Sequence, residues 1–94
     1  MKVFKYVLKA PNSELDTAYL IWDAPIQGLE KILDVQMQGK DCVMWAAVNT
    51  VAVRTPRVRV YSVGTGHGAI SGSAEYLTTI QDRGFVWHIF YTLQ

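Results

Sequence analysis

The stretch LEKILDVQMQGKDCVMWAAVN, Leu29–Asn49, decides the fold. Its start has a helical option, because Leu29, Ile32 and Leu33 recur at helical spacing. From Leu33 the alternation is strict, with Leu33, Val35 and Met37 on one side and Asp34, Gln36 and Gln38 on the other. A period of two is the mark of a strand, and a strand is predicted over Ile32–Gln38. Gln38-Gly39-Lys40-Asp41 then reads as a tight hairpin turn in which Gly39 supplies a positive φ. The return, Asp41–Asn49, is apolar on both faces. That marks a strand at the centre of a sheet, or one whose second face meets a partner.

The same patterning extends outward in both directions. Lys2–Lys9 puts Phe4, Tyr6 and Leu8 on one face and Val3, Lys5, Val7 and Lys9 on the other, as a half-buried strand whose lysines suit an edge. Ala10-Pro11-Asn12-Ser13 breaks it. Thr17–Trp22 is a short β-prone run, stopped by Asp23-Ala24-Pro25, and Ile26-Gln27-Gly28 follows as a turn. On the other side, Thr55-Pro56 leads into a strand with Val58, Val60 and Ser62 on one face and Arg57, Arg59, Tyr61 and Val63 on the other. Four of the seven glycines fall between Gly64 and Gly72, which makes Gly64–Ala74 a loop. Glu75–Gln81 is β-prone, Gln81-Asp82-Arg83-Gly84 turns the chain, and Phe85–Leu93 closes it, apolar on both faces. Six to seven short strands with little or no helix predict a single all-β domain over residues 1–94, a small antiparallel sandwich or partly open barrel.

Composition narrows the function. Half of the 94 residues are apolar, with three Trp, five Tyr and three Phe. A chain this short hides only about 60–65% of its unfolded surface, so part of the apolar surface, on the two-faced strands 41–49 and 85–93, is expected to meet a second copy in a homo-oligomer. A net charge of +1 makes nucleic acid an unfavoured partner. No apolar run is long enough for a membrane helix, and the lysine-interrupted N-terminus does not resemble a signal peptide. Cys42 is the only cysteine, which excludes an internal disulfide and fits a reducing compartment. Cys42, His67 and His88 lack ligand spacing, so no metal and no cofactor is expected.

Four pieces taken in order carry a family likeness: Lys5-Tyr6, ILDVQMQGKDCVMWAAVN (Ile32–Asn49), VGTGHG (Val63–Gly68) and GFVWHIF (Gly84–Phe90). Together they resemble a family of small uncharacterised proteins encoded by phages and prophages. The Gly-Thr-Gly-His loop and the closing Val-Trp-His-Ile-Phe strand are the most specific parts. Val7 and Gly68 stand where that family often has proline, which leaves this loop freer than the family pattern. The resemblance implies a small viral accessory product in the host cytoplasm and names no reaction.

The candidate ligand-binding residues are Arg57, Arg59, Tyr61, Thr65, Gly66 and His67. Guanidinium groups beside an aromatic ring recognise phosphates and bases by bidentate hydrogen bonds and stacking. The bland alternative is a solvated face whose arginines pair with Glu75 or Asp82. The glycines are misplaced for a dinucleotide fingerprint, so the loop is either a strand connector or a presenter of Thr65 and His67. His88 reads as a satisfied core or interface histidine, and Cys42 as a packing residue. No catalytic constellation is present, and the expected function is non-enzymatic. The leading expectation is binding an anionic nucleotide-type ligand or a host protein, for instance in counter-defence. A structural or assembly module of the particle is the alternative, and a nucleic-acid-binding barrel a third.

Overall fold

The computed structural model describes residues 1–14 and 17–94. Every strand pairing in it is antiparallel. The strands are β1 (Lys2–Leu8), β2 (Ser13–Glu14), β3 (Thr17–Pro25), β4 (Leu29–Gln38), β5 (Asp41–Val48), β6 (Arg57–Gly64), β7 (Glu75–Asp82) and β8 (Phe85–Leu93). They form a three-stranded sheet, β1-β5-β4, and a five-stranded sheet, β2-β3-β6-β8-β7. The two sheets pack as an all-β sandwich and do not close into a barrel. No helix is present among the described residues.

The Leu29–Asn49 stretch is a hairpin, as its alternation predicts, but β4 begins at Leu29 rather than Ile32. Register shifts between Leu29 and Lys31 and between Ile32 and Asp34 explain the helix-like spacing at its start. Each bulge adds one residue and moves the following side chains to the other face. Ile32 and Val35 are therefore both buried, whereas Leu33, expected inward, is 42% exposed.

β3 also departs from the reading of Thr17–Trp22, running on through Asp23-Ala24-Pro25. At that end β6 is its only strand partner among the described residues, because β2 reaches no further than Thr17 and Ala18. Pro25 thus sits on an open edge, where a missing N–H is tolerated.

β5 and β8 each lie between two strands, which places both two-faced apolar runs inside their sheets. The inward side chains Cys42, Met44, Ala46 and Val48 of β5 meet Val58, Val60 and Ile89 of the larger sheet in one core. Val43 points outward and is still buried. Lys5 Nζ donates to Gln38 Oε1 at 2.9 Å, linking β1 to β4 across β5 beside Val43. An apolar lysine stem can cover such a site while its ammonium stays wet. Cys42 is a packing residue: burial foremost, and then the Asp82 carboxylate, pushes its thiol up to about 11.

Candidate functional site

The outer face of the five-stranded sheet carries most of the residues singled out in the sequence. β6 buries Val58, Val60 and Ser62 completely and turns Arg57, Arg59, Tyr61 and Val63 outward. The Ser62 hydroxyl accepts from the Asn12 N–H at 3.0 Å and donates to the Asn12 carbonyl, fixing the segment before β2.

Strand order then sets which outward side chains meet. Tyr61 is directly opposite Phe90 on β8, and Phe90 is opposite Tyr76 on β7. The result is a row of three rings across adjacent strands, with Tyr76 and Phe90 edge to face at 5.7 Å. The next row is Val63, His88 and Thr79.

The arginines occupy the far end of this face. Asp23 lies across from Arg59, and its Oδ1 is 2.6 Å from Arg57 Nε and 3.4 Å from Arg59 Nε. Asp23 is thereby the partner, in place of the expected Glu75 or Asp82. The reason is topological: β3 adjoins β6, whereas β7 is separated from it by β8. Glu75 instead accepts from the Tyr91 hydroxyl at 2.7 Å, and Asp82 pairs with Arg83. Arg54, just before β6, pairs with Glu30 at 2.9 Å. The hydrogen bond from Arg57, foremost, holds the Asp23 carboxyl below the ordinary carboxylate range. The trio is therefore intact at neutral pH and is lost as pH falls through that depressed value. Two guanidiniums against one carboxylate leave a local excess of one positive charge.

The glycine loop stands at the other end of the face. A turn closed by the His67 N–H donating to Gly64 C=O lifts it off β6. Gly68 then passes so close to β3 that a Cβ there would lie 2.9 Å from the Thr17 carbonyl oxygen. The loop is also tied to the sheet. Thr65 Oγ1 is hydrogen-bonded to His88 Nε2 at 2.7 Å, His88 Nδ1 to Thr79 Oγ1 at 3.2 Å, and Thr79 Oγ1 to the Tyr76 hydroxyl at 2.7 Å. Both ring nitrogens are thus satisfied, and hydroxyls suit either tautomer. His88 lies half-buried on the outer face, not in the core between the sheets.

Loop and sheet border two open spaces. A groove of about 360 Å³ on the outer face has Val63, His88 and Phe90 on its strands, and the Gly64–Gly68 segment with Ile70 on its loop side. A cavity of about 490 Å³ opens at the end of the sandwich, bordered by Asn12, Thr65, His67, Phe85, Val86 and Trp87. Phe85 and Trp87 stack there, with centroids 5.7 Å apart.

The six predicted residues therefore do not form one cluster. Thr65, Gly66 and His67 line the groove, Tyr61 continues from it through Phe90, and Arg59 lies about 7 Å further along the strand. Arg57 is at the remote end, about 26 Å along the chain from Thr65 at strand rise. Sequence reasoning missed His88 and Phe90. Their shared face was readable from the alternation of β8, but the neighbouring strands were not. Among the described residues, no group of three or more His, Cys, Asp or Glu is placed to hold a metal ion. The arrangement can take a flat ring against Phe90 and Tyr61 and offer the Thr65 hydroxyl and the His67 imidazole to its polar edge.

No curated protein and no solved structure matches the chain. The family described as a domain of unknown function (DUF7352) has a model that matches residues 1–94, and the chain belongs to that family.

Proposed function

We propose that this protein is a non-enzymatic binding protein that takes a small anionic, ring-bearing ligand of nucleotide type on the outer face of its larger sheet. The observation that carries the reading is the groove beside Phe90, which holds stacking surface and polar groups, with Tyr61 and then Arg59 following it along β6 on the same face. Its volume of about 360 Å³ lies within the range of small-ligand sites. A base resting on Phe90 and Tyr61 would direct its phosphate toward Arg59, whose spacing of about 7 Å from Tyr61 suits a mononucleotide. The Asp23 contact engages Nε, one of the five N–H donors that a guanidinium carries. The resemblance to phage and prophage proteins supports a setting in the cytoplasm of an infected cell, where sequestering a nucleotide would serve counter-defence.

Titration calorimetry against a panel of mononucleotides tests this. At least one is expected to bind. Phe90→Ala is expected to weaken it by about 5- to 150-fold, the worth of one stacked base. Arg59→Ala is expected to weaken it by about 10- to 100-fold, the worth of a charge-assisted hydrogen bond. Silence from the whole panel, or affinities indifferent to both substitutions, would sink the reading.

The smaller sheet supports self-association as well. Its outer face exposes Val3, Val7 and Leu33 by 60%, 59% and 42%. A second copy laid on that face would cover them, and it would leave the groove on the opposite side open. Sedimentation velocity is expected to return a dimer or larger closed species that Val7→Lys dissociates. A wild-type monomer at every concentration would remove the oligomer.

A further inference from the structure

The groove and the end cavity lie back to back, and they share Gly64, Thr65 and His67 as a common wall. Each space has its own aromatic surface. The groove has Phe90, and the cavity has the stacked pair Phe85 and Trp87. On β8 the cavity is bordered through Trp87 and the groove through His88, so one peptide unit separates the two. Phe85 is 63% exposed at the tip of the β7–β8 hairpin. The crest between the spaces is Thr65-Gly66-His67, and nothing lies within 4 Å of the point a Gly66 Cβ would occupy. A ligand can therefore pass over this crest without meeting a side chain at Gly66. Thr65 and His67 flank the passage with a hydroxyl and an imidazole, both able to donate to a phosphate oxygen.

From this we infer that the preferred ligand has two bases joined through a phosphate. One base lies in the groove on Phe90, the other in the end cavity on Phe85 and Trp87, and the linking phosphate crosses at Thr65 and His67. This rests on the nucleotide reading of the groove and extends it to a second ring site. The volumes agree, since about 360 and about 490 Å³ each fall in the range of a single small-ligand site. Linking two weakly held units gains affinity through effective concentration, provided that the linker spans both places.

The test compares a mononucleotide, 5′-AMP, with the linear dinucleotide pApA and a longer oligoadenylate by titration calorimetry. The dinucleotide is expected to bind at least about 100-fold more tightly than the mononucleotide, the lower end of the usual gain from joining two units. Phe85→Ala is expected to abolish that gain, while Phe90→Ala weakens the mononucleotide and the dinucleotide alike. Phe85 is exposed enough for its removal to leave the fold intact. An oligoadenylate binding no more tightly per site than pApA would assign the site to a free dinucleotide, and tighter binding would assign it to a strand end, the two-base chemistry standing in both cases. Mononucleotide binding without any dinucleotide gain, or a gain that survives Phe85→Ala, would overturn the inference and leave the groove reading in place. Binding by none of the three would overturn the inference, and silence from the whole mononucleotide panel as well would overturn both.

Discussion

Gly28→Ala is expected to destabilise the domain by about 2–5 kcal/mol, the sum of a left-handed backbone penalty and an overpacking term. Gly28 sits at the corner where the chain leaves β3 in one sheet and begins β4 in the other, with φ at 76°. Its backbone is held from both sides. Its N–H donates to the Arg54 carbonyl at 2.8 Å, and its own carbonyl accepts from the Asn49 N–H at 2.8 Å. A Cβ at this position would fall 2.1 Å from the Asn49 carbonyl oxygen, far inside contact distance. That oxygen belongs to backbone, so no rotamer change can relieve the overlap. Gly39 provides the control: its φ is 63°, but a Cβ there would meet nothing within 4 Å. Gly39→Ala should therefore cost only the conformational part, about 1–2 kcal/mol. Urea unfolding of the two variants measures the difference, and equal losses would show that the Asn49 contact gives way without cost. The larger loss matters because a domain of this size commonly holds only about 5–15 kcal/mol.

The strands were legible because their chemistry is local. Alternation in β1 and β6 and the hairpin at Gly39 follow from residues close in sequence. The bulges in β4 were not, since the inward Leu29 and Ile32 stand three apart in a bulged strand just as they would on a helix. The candidate site was legible in halves for a related reason. Arg57, Arg59 and Tyr61 announce an outward face, but their neighbours depend on strand order, which joins residues dozens of positions apart. Asp23 became the arginines' partner, and Phe90 and His88 the companions of Tyr61 and Val63, only through the order β3-β6-β8-β7. The paired apolar faces of β5 and β8 were read as central strands or as interfaces. Their interior positions supply the first explanation directly.

Ile89→Ala is expected to cost about 2–5 kcal/mol, as for other large-to-small changes in a close-packed core. Ile89 is fully buried between β6 and β7, opposite Ser62 and Thr78, and its side chain fills the space between the sheets. Its sequence neighbours His88 and Phe90 point the other way, into the groove. One strand thus serves the core with one face and the proposed ligand with the other, which makes the two contributions separable. Stability lost on the inner face should be recovered by occupancy of the outer one. A ligand at 100-fold its dissociation constant adds about 2.7 kcal/mol to any state that binds it. For a domain of under 100 residues each kcal/mol moves Tm by about 4–8 °C. Thermal unfolding of Ile89→Ala should begin well below the wild type and rise by the same increment on adding the nucleotide that binds the wild type. A loss under about 1 kcal/mol would contradict the packing role, since even a single buried methylene is worth nearly that much. A ligand shift present in the wild type and missing in the variant would contradict the independence of the two faces. The inner packing of β8 would then set the geometry of the groove, and the positions of Phe90 and His88 would have to be traced to Ile89 rather than to their own row neighbours.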